Sequence, residues 1–281
     1  MIYFLQAFVL GILEGITEFI PVSSTAHILL LEKLMQYQNP SKFFEVIIQS
    51  GAILAIIYIY KIRIFNILKG IVKLEYNAIC IFRNIVISMI PSIIIGFLFI
   101  HLIKKLFFNY LIIAISLILG GFFIIIVEYL IYPKFSKIKI DNKNFFNKRY
   151  YISNIEDISS KQSLYIGLYQ AIALIPGISR SGATIMGAMT LGIKRNIATE
   201  FSFFLAVPTI ISASVYDIWV NLNSISINDF IPVIIGCISS YFISIYVIKS
   251  VIKYISHNTF LIFAWYRIFL GFLILLIYIA T

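Results

Sequence analysis

GILEGITEFIPVSSTAH, residues 11–27, sets two glutamates, a proline, three consecutive hydroxyl side chains and a histidine inside a stretch that is otherwise apolar. Glu14 and Glu18 are four residues apart, hence on one face of a helix. Pro21 and the small polar run behind it break that helix. Ser23, Ser24 and Thr25 then offer hydroxyls, and His27 follows Ser24 by three residues. A carboxylate at membrane depth is costly unless paired or hydrated, so two on one face point to function. Each feature has a plainer reading: Ser-Ser-Thr caps a new helix, glutamates can sit at the interface, and a lone histidine is usually structural. Their joint occurrence in one apolar block favours a site.

A second stretch answers the first. LIPGISRSGATIMGAMTLG, residues 174–192, carries Arg180 in the middle of another apolar block. An arginine there needs an anion, from protein or ligand. Ser179, Ser181, Gly182 and Thr184 let backbone amides and hydroxyls come close, and a helix starting after Pro176-Gly177 directs its positive dipole end at the same place. Arginine, hydroxyls and amides together hold phosphate. The competing reading is an ion pair from Arg180 to Glu14 or Glu18 that only locks the chain, with Gly182, Ala183 and Gly187 serving close helix packing.

The chain around these stretches belongs to a membrane. Of 281 residues, 61% are hydrophobic and 12% charged, with a mean hydropathy of +0.99; a soluble fold carries about a quarter charged residues. Eight apolar blocks run roughly over 2–31, 46–60, 79–101, 110–132, 163–193, 198–219, 230–250 and 260–280, predicting an all-α polytopic bundle. No separable signal peptide is expected. The net charge of +10 does not imply nucleic acid, because the cations lie in short loops between the blocks. Cys80 and Cys237 sit far apart in apolar runs and are expected to be spectator thiols.

The one long polar segment, 133–162, is expected as an aqueous loop between a first repeat, 1–132, and a second, 163–281. Glu45 follows Pro21 by 24 residues (45 − 21), and Glu200 follows Pro176 by 24 (200 − 176). Suppose the first block of each repeat dips in and returns while the other three cross. The repeats are then inverted, and Lys61, Arg63, Lys69, Lys73, the loop, Lys194, Arg195, Lys249 and Lys253 share one side. Only Lys33, Lys42, Lys104 and Lys105 take the other, so the crowded side is expected to be cytoplasmic.

LEGITEFIPVSSTAH and PGISRSGAT, with FEVIIQSGAILA at 44–55 and EFSFFLAVP at 200–208, resemble the undecaprenyl-diphosphate phosphatases of the bacitracin-resistance type. The resemblance covers essentially the whole chain. It implies a multi-pass enzyme of the bacterial inner membrane that releases phosphate from undecaprenyl diphosphate, its site facing the periplasm, and returns the lipid carrier to cell-wall synthesis. A homodimer is compatible with it. Glu14 and Glu18 match the family's paired glutamates, Ser24 and His27 its serine and histidine, and Ser179, Arg180, Ser181 and Thr184 its arginine-serine motif. Two departures are visible: Ala26 stands where glycine is usual before the histidine, and 133–162 is longer and more polar than the family suggests.

For the chemistry, Arg180 with Ser179, Ser181 and nearby amides is expected to hold the phosphates, with Ser23, Thr25, Gly182 and Thr184 beside them. Glu14 and Glu18 can ligate a divalent cation, Mg or Ca, bridging the diphosphate, orient His27, or activate water. Ser24 activated by His27 ranks first as the attacking group, with His27 itself and water left open. The broader lipid-phosphate phosphatases are excluded, because no histidine follows Arg180 before His257. A secondary transporter or polyprenyl-phosphate flippase, built on the same inverted-repeat cavity, is the alternative of another class.

Overall fold

A computed structural model describes residues 2–37, 44–106, 109–131, 151–221 and 227–280. Regular structure among them is helical, apart from one isolated parallel bridge between Ile152 and Ile193. In chain order the helices are α1 (Ile2–Thr17), α2 (Ser24–Leu34), α3 (Phe44–Ile59), α4 (Lys61–Val72), α5 (Tyr76–Leu98) and α6 (Ile100–Leu106). They continue with α7 (Tyr110–Ile126), α8 (Ser160–Ile172), α9 (Arg180–Thr190), α10 (Arg195–Asn221), α11 (Ile227–Ile255) and α12 (Leu261–Ala280). A π-turn, Val127–Ile131, extends α7.

Among the described residues five helices are long and apolar enough to cross a membrane: Tyr76–Leu98, Tyr110–Leu130, Arg195–Val220, Phe230–Ile255 and Leu261–Ile279. A sixth candidate is bent. The expected block at 46–60 forms α3, but apolar helix resumes at once as α4, turned by 77°. α4 exposes Ile62, Phe65, Leu68 and Val72 beside Lys61 and Lys69, the pattern of a helix lying in the interface. The chain is thus a multi-pass helical membrane protein.

The two motif-bearing blocks are broken, as expected. α1 has 16 residues, α8 has 13, and α2 and α9 have 11 each. At 1.5 Å per residue these reach only about 16–24 Å, short of a hydrocarbon core of about 30 Å. Pro21, lacking an amide hydrogen, cannot continue α1. Ser23 turns the chain at φ 73° and caps α2, its hydroxyl accepting from the Ala26 amide. In the second block Gly177 makes the turn at φ 88°, a conformation cheap for glycine, and Ser179 caps α9 by accepting from the Gly182 amide. From proline to cap is two residues in the first break (23 − 21) and three in the second (179 − 176).

Packing places both breaks inside the bundle. α1 runs along α11 of the other half, and α8 runs along α5. Both approaches are close: a side chain at Gly11 or Gly15 would strike α11 backbone, and one at Gly167 would strike the Ser88 carbonyl of α5. Phe19, in the first break, is fully buried edge-on against Phe203 of α10, with ring centroids 5.4 Å apart. Cys80 and Cys237 are free thiols, and the Cys237 Sγ donates to the Ile47 carbonyl at 3.3 Å. Outward faces carry apolar side chains such as Phe97, Trp219, Trp265 and Phe269.

One end of the bundle gathers charge. Arg63 reaches Glu200 at 2.9 Å and Glu156 at 3.4 Å. Arg195 pairs with Glu128 at 2.7 Å, and Glu128 also accepts from the Phe260 amide at 2.8 Å. Residues 63, 156 and 200 therefore share an end. Of the connecting segment, 133–150 lie outside the described residues. Its remainder is docked rather than loose, with Ile155 and Ile158 buried and α8 starting at Ser160. Lys42 and the 222–226 part of the 220–229 connection also lie outside the described residues.

Candidate active site

The N-terminal ends of α2 and α9 meet. A cavity of about 150 Å³ lies between them, lined by Glu18, Ser23, Ser24 and Thr25 from the first break and Ala173, Ile178, Ser179 and Arg180 from the second. Gln49 of α3 and Ile210 of α10 close it. Two helix starts at one small polar space give converging amide donors and positive dipole ends, a setting for an anion.

Glu18 is the hub. Its Oε2 accepts from Ser24 Oγ at 2.7 Å, while Oε1 accepts from Arg180 Nη2 at 3.1 Å and Nε at 3.4 Å. Arg180 Nη1 donates to the Ser202 carbonyl at 3.2 Å, so the guanidinium is aimed from both sides. The ion-pair reading of Arg180 is therefore correct as geometry. It is not sufficient as a role, because the arginine also lines the cavity and keeps 14% of its side chain exposed.

The expected Ser24–His27 pair does not form. His27 Nδ1 is 2.7 Å from the Ser23 carbonyl and Nε2 is 2.6 Å from the Tyr266 hydroxyl. A carbonyl only accepts, so Nδ1 carries the hydrogen, and in the neutral ring Nε2 accepts from Tyr266. Helical side chains lean toward the preceding turn, which carries the ring to Ser23, four residues back, and past Ser24. The Tyr266 ring stacks on it at 8° with centroids 5.6 Å apart. Ser24 is left to Glu18.

Of three residues expected at the phosphate, Ser181 and Gly182 pack on the first break and Thr184 on α10. Ser181 Oγ donates to the carbonyls of Glu18 at 3.1 Å and Ile20 at 3.3 Å, and meets Ser179 Oγ at 3.0 Å. Gly182 packs where a side chain would press on Pro21 and Ser179. Thr184 Oγ1 donates to the Arg180 carbonyl at 2.9 Å and shares a 2.6 Å hydrogen bond with Ser202. None of the three lines the cavity, whereas Ser23, Thr25 and Ser179 do.

Glu14 lies one helical turn behind Glu18, fully buried, and neither carboxylate oxygen has a hydrogen-bond partner. An ionised carboxylate left so is expensive, and the position calls for a proton or a cation. Among the described residues no three His, Cys, Asp or Glu side chains converge as a ready metal site.

The profile of the family described as "Bacitracin resistance protein BacA" matches residues 7–273, a span that holds both breaks. This chain belongs to the BacA family. Among its relatives, the protein named "Undecaprenyl-diphosphatase 2" of Shewanella oneidensis is 41% identical over 275 residues, covering 98% of both chains. "Undecaprenyl-diphosphatase" of Bordetella avium is 40% identical over 96% of this chain and 95% of its own. The protein of that name from Neisseria gonorrhoeae is 37% identical, over 98% and 96%.

Within this BacA-family chain the sequence reading missed Gln49, Ser202, Tyr266 and Arg267. Arg267 is the omission with a readable signal: it is a cation inside the apolar block 260–280, the same property that singled out Arg180. No surrounding motif marked it. Gln49 sits in a quoted stretch, but nothing local says that it faces the cavity.

Proposed function

We propose that the chain is an undecaprenyl-diphosphate phosphatase, which hydrolyses the lipid diphosphate to undecaprenyl phosphate and inorganic phosphate. The names of the near full-length relatives support the substrate. The observation that carries the chemistry is the Arg180–Glu18–Ser24 chain of contacts at a cavity where two helix starts meet.

Phosphoryl transfer needs positioning, charge neutralisation and an in-line nucleophile. The headgroup enters the cavity, where Arg180 exchanges part of its contact with Glu18 for phosphate oxygens, helped by Ser23, Thr25, Ser179 and the first amides of α2 and α9. Ser24 Oγ attacks the terminal phosphorus while its proton passes to Glu18 Oε2. The bridging P–O bond breaks and undecaprenyl phosphate leaves with its electrons. Water then attacks the phosphoserine, the proton returns from Glu18 to Ser24 Oγ, and inorganic phosphate is released. His27, bound at both nitrogens, holds the Ser23 turn in place.

Glu14, with Glu18, would hold a divalent cation, Mg or Ca. When bound, such an ion neutralises phosphate charge. The unpartnered oxygens of Glu14 support that assignment. The isoprenoid tail lies in the bilayer, and the product serves again as lipid carrier for cell-wall precursors.

The repeats are inverted in this reading. Exchange of partners between halves, α1 with α11 and α8 with α5, supports it. The end carrying Arg63 and Arg195 is cytoplasmic by its charge, and by the family resemblance the cavity opens to the periplasm. Two measurements test the proposal. Purified protein should release phosphate from a polyprenyl diphosphate, and a chelator should suppress it; no release from any isoprenoid diphosphate with cation supplied rejects it. With both native cysteines replaced, an impermeant thiol reagent on intact cells should label a cysteine at Ser224 and spare one at Ser159. Labelling at 159 overturns the orientation.

A further inference from the structure

We infer that Arg267 is a positioning residue of this reaction: it fixes the two breaks to each other and so aligns the Ser24–Glu18 pair with Arg180. The inference rests on the site assignment just proposed. Arg267 lies in α12, is 2% exposed, and among the described residues is the only buried arginine. Among the described residues its hydrogen bonds all go to backbone carbonyls. Nη1 donates to Pro21 at 3.1 Å, Nη2 to Gly177 at 3.1 Å and Ser116 at 3.2 Å, and Nε to Leu117 at 3.4 Å.

The register of these contacts is matched. Pro21 stands two residues before the cap of α2 (23 − 21), and Gly177 two residues before the cap of α9 (179 − 177). One planar fork therefore grips the equivalent carbonyl of each break. Broken helices leave carbonyls without intrahelical partners, and inside a bilayer protein must supply the donors. A guanidinium carries five donors in a fixed plane, whereas a lysine ammonium is a single point. Burying a charge without a counter-ion is costly, and simple helix packing does not require it.

The surroundings are shaped to keep the fork where it is. Gly120 of α7 leaves the space, since a side chain there would come within 2.7 Å of Arg267 Cζ. On the breaks themselves, Ser181 and Gly182 make the direct contacts to 18–21. Arg267 adds a shared anchor, tied also to α7 through Ser116 and Leu117. The neighbouring Tyr266 holds His27, so one turn of α12 reaches both the turn before α2 and the turn before α9.

The test compares Arg267→Lys with Gly120→Ala, which keeps the arginine but pushes the guanidinium aside. Both are purified in detergent and shown to be folded by chromatography and thermal melting. A displacement of about 1 Å at the reacting groups costs on the order of 10²-fold. Accordingly kcat for phosphate release from a polyprenyl diphosphate should fall at least about tenfold in each, with KM changed by less than about threefold. Inhibition by orthovanadate, which takes the five-coordinate geometry, should weaken in step with kcat/KM, while inhibition by inorganic phosphate stays unchanged. Wild-type kcat in a folded Gly120→Ala or Arg267→Lys protein, with only the melting temperature lowered, makes Arg267 a structural clamp and overturns the inference. If the lysine variant does not fold, Gly120→Ala decides alone. Arg180→Ala is assayed alongside: its loss of turnover upholds the site, and retained turnover there rejects the site assignment and this inference with it.

Discussion

The two breaks are built alike and do opposite things. Each is a proline-marked interruption between short helices, capped by a serine, and packed against helices of the other half. The first carries Glu14 and Glu18 before its turn and Ser24 after it; the second carries no acid and places Arg180 directly after its cap. One architecture thus presents a proton acceptor with its hydroxyl, and the other a fixed cation. Neither side is stable alone at membrane depth. Glu18 and Arg180 satisfy each other, and a phosphate can enter by sharing the arginine.

That division of labour can be broken most severely at the first side. Ser24→Ala removes the attacking oxygen and Glu18→Gln its proton acceptor, and each should lower phosphate release by about 10³-fold or more. A Ser24→Ala protein with more than a tenth of wild-type turnover would show that the first break only frames the cavity. Next comes the second side. Arg180→Lys keeps the charge and loses the planar fork, so turnover should fall at least about tenfold, with the melting temperature as folding control. Full activity in the lysine variant would reduce Arg180 to a counter-ion for Glu18.

Smaller effects sharpen the contrast between lining the cavity and holding it together. Glu14→Gln should leave the fold intact and raise the Mg or Ca concentration needed for half-maximal rate by about tenfold; an unchanged cation curve removes Glu14 as a ligand. Ser181→Ala should lower stability by roughly 1 kcal/mol through its lost bonds to the Glu18 and Ile20 carbonyls, while KM stays within about threefold. A large rise in KM for Ser181→Ala would return that hydroxyl to the phosphate.

The contrast was largely legible in the sequence, because ionisable residues inside apolar blocks are conspicuous. Glu14, Glu18 and Arg180 announce themselves this way, and Pro21 and Pro176 mark the breaks. What escaped depends on direction rather than on composition. Ser24 and His27 are at a spacing that suggests contact, yet backbone geometry sends the ring to the Ser23 carbonyl. Its other nitrogen meets Tyr266, 239 residues away. The same holds for Ser181 and Thr184: their type suits phosphate, and only the packing of α9 against the first break and α10 turns them inward. The 77° turn from α3 to α4 is readable in hindsight, since Lys61 and Arg63 cannot extend an apolar span into lipid.

Rapid-quench analysis of the enzyme turning over a terminally labelled polyprenyl diphosphate tests the central claim most directly. Acid-stable label should appear on the peptide carrying Ser24 before free phosphate is released, and should be absent from Glu18→Gln at the same times. Acid-labile label on His27, or phosphate release at full rate with no labelled protein at any time, would contradict attack by Ser24.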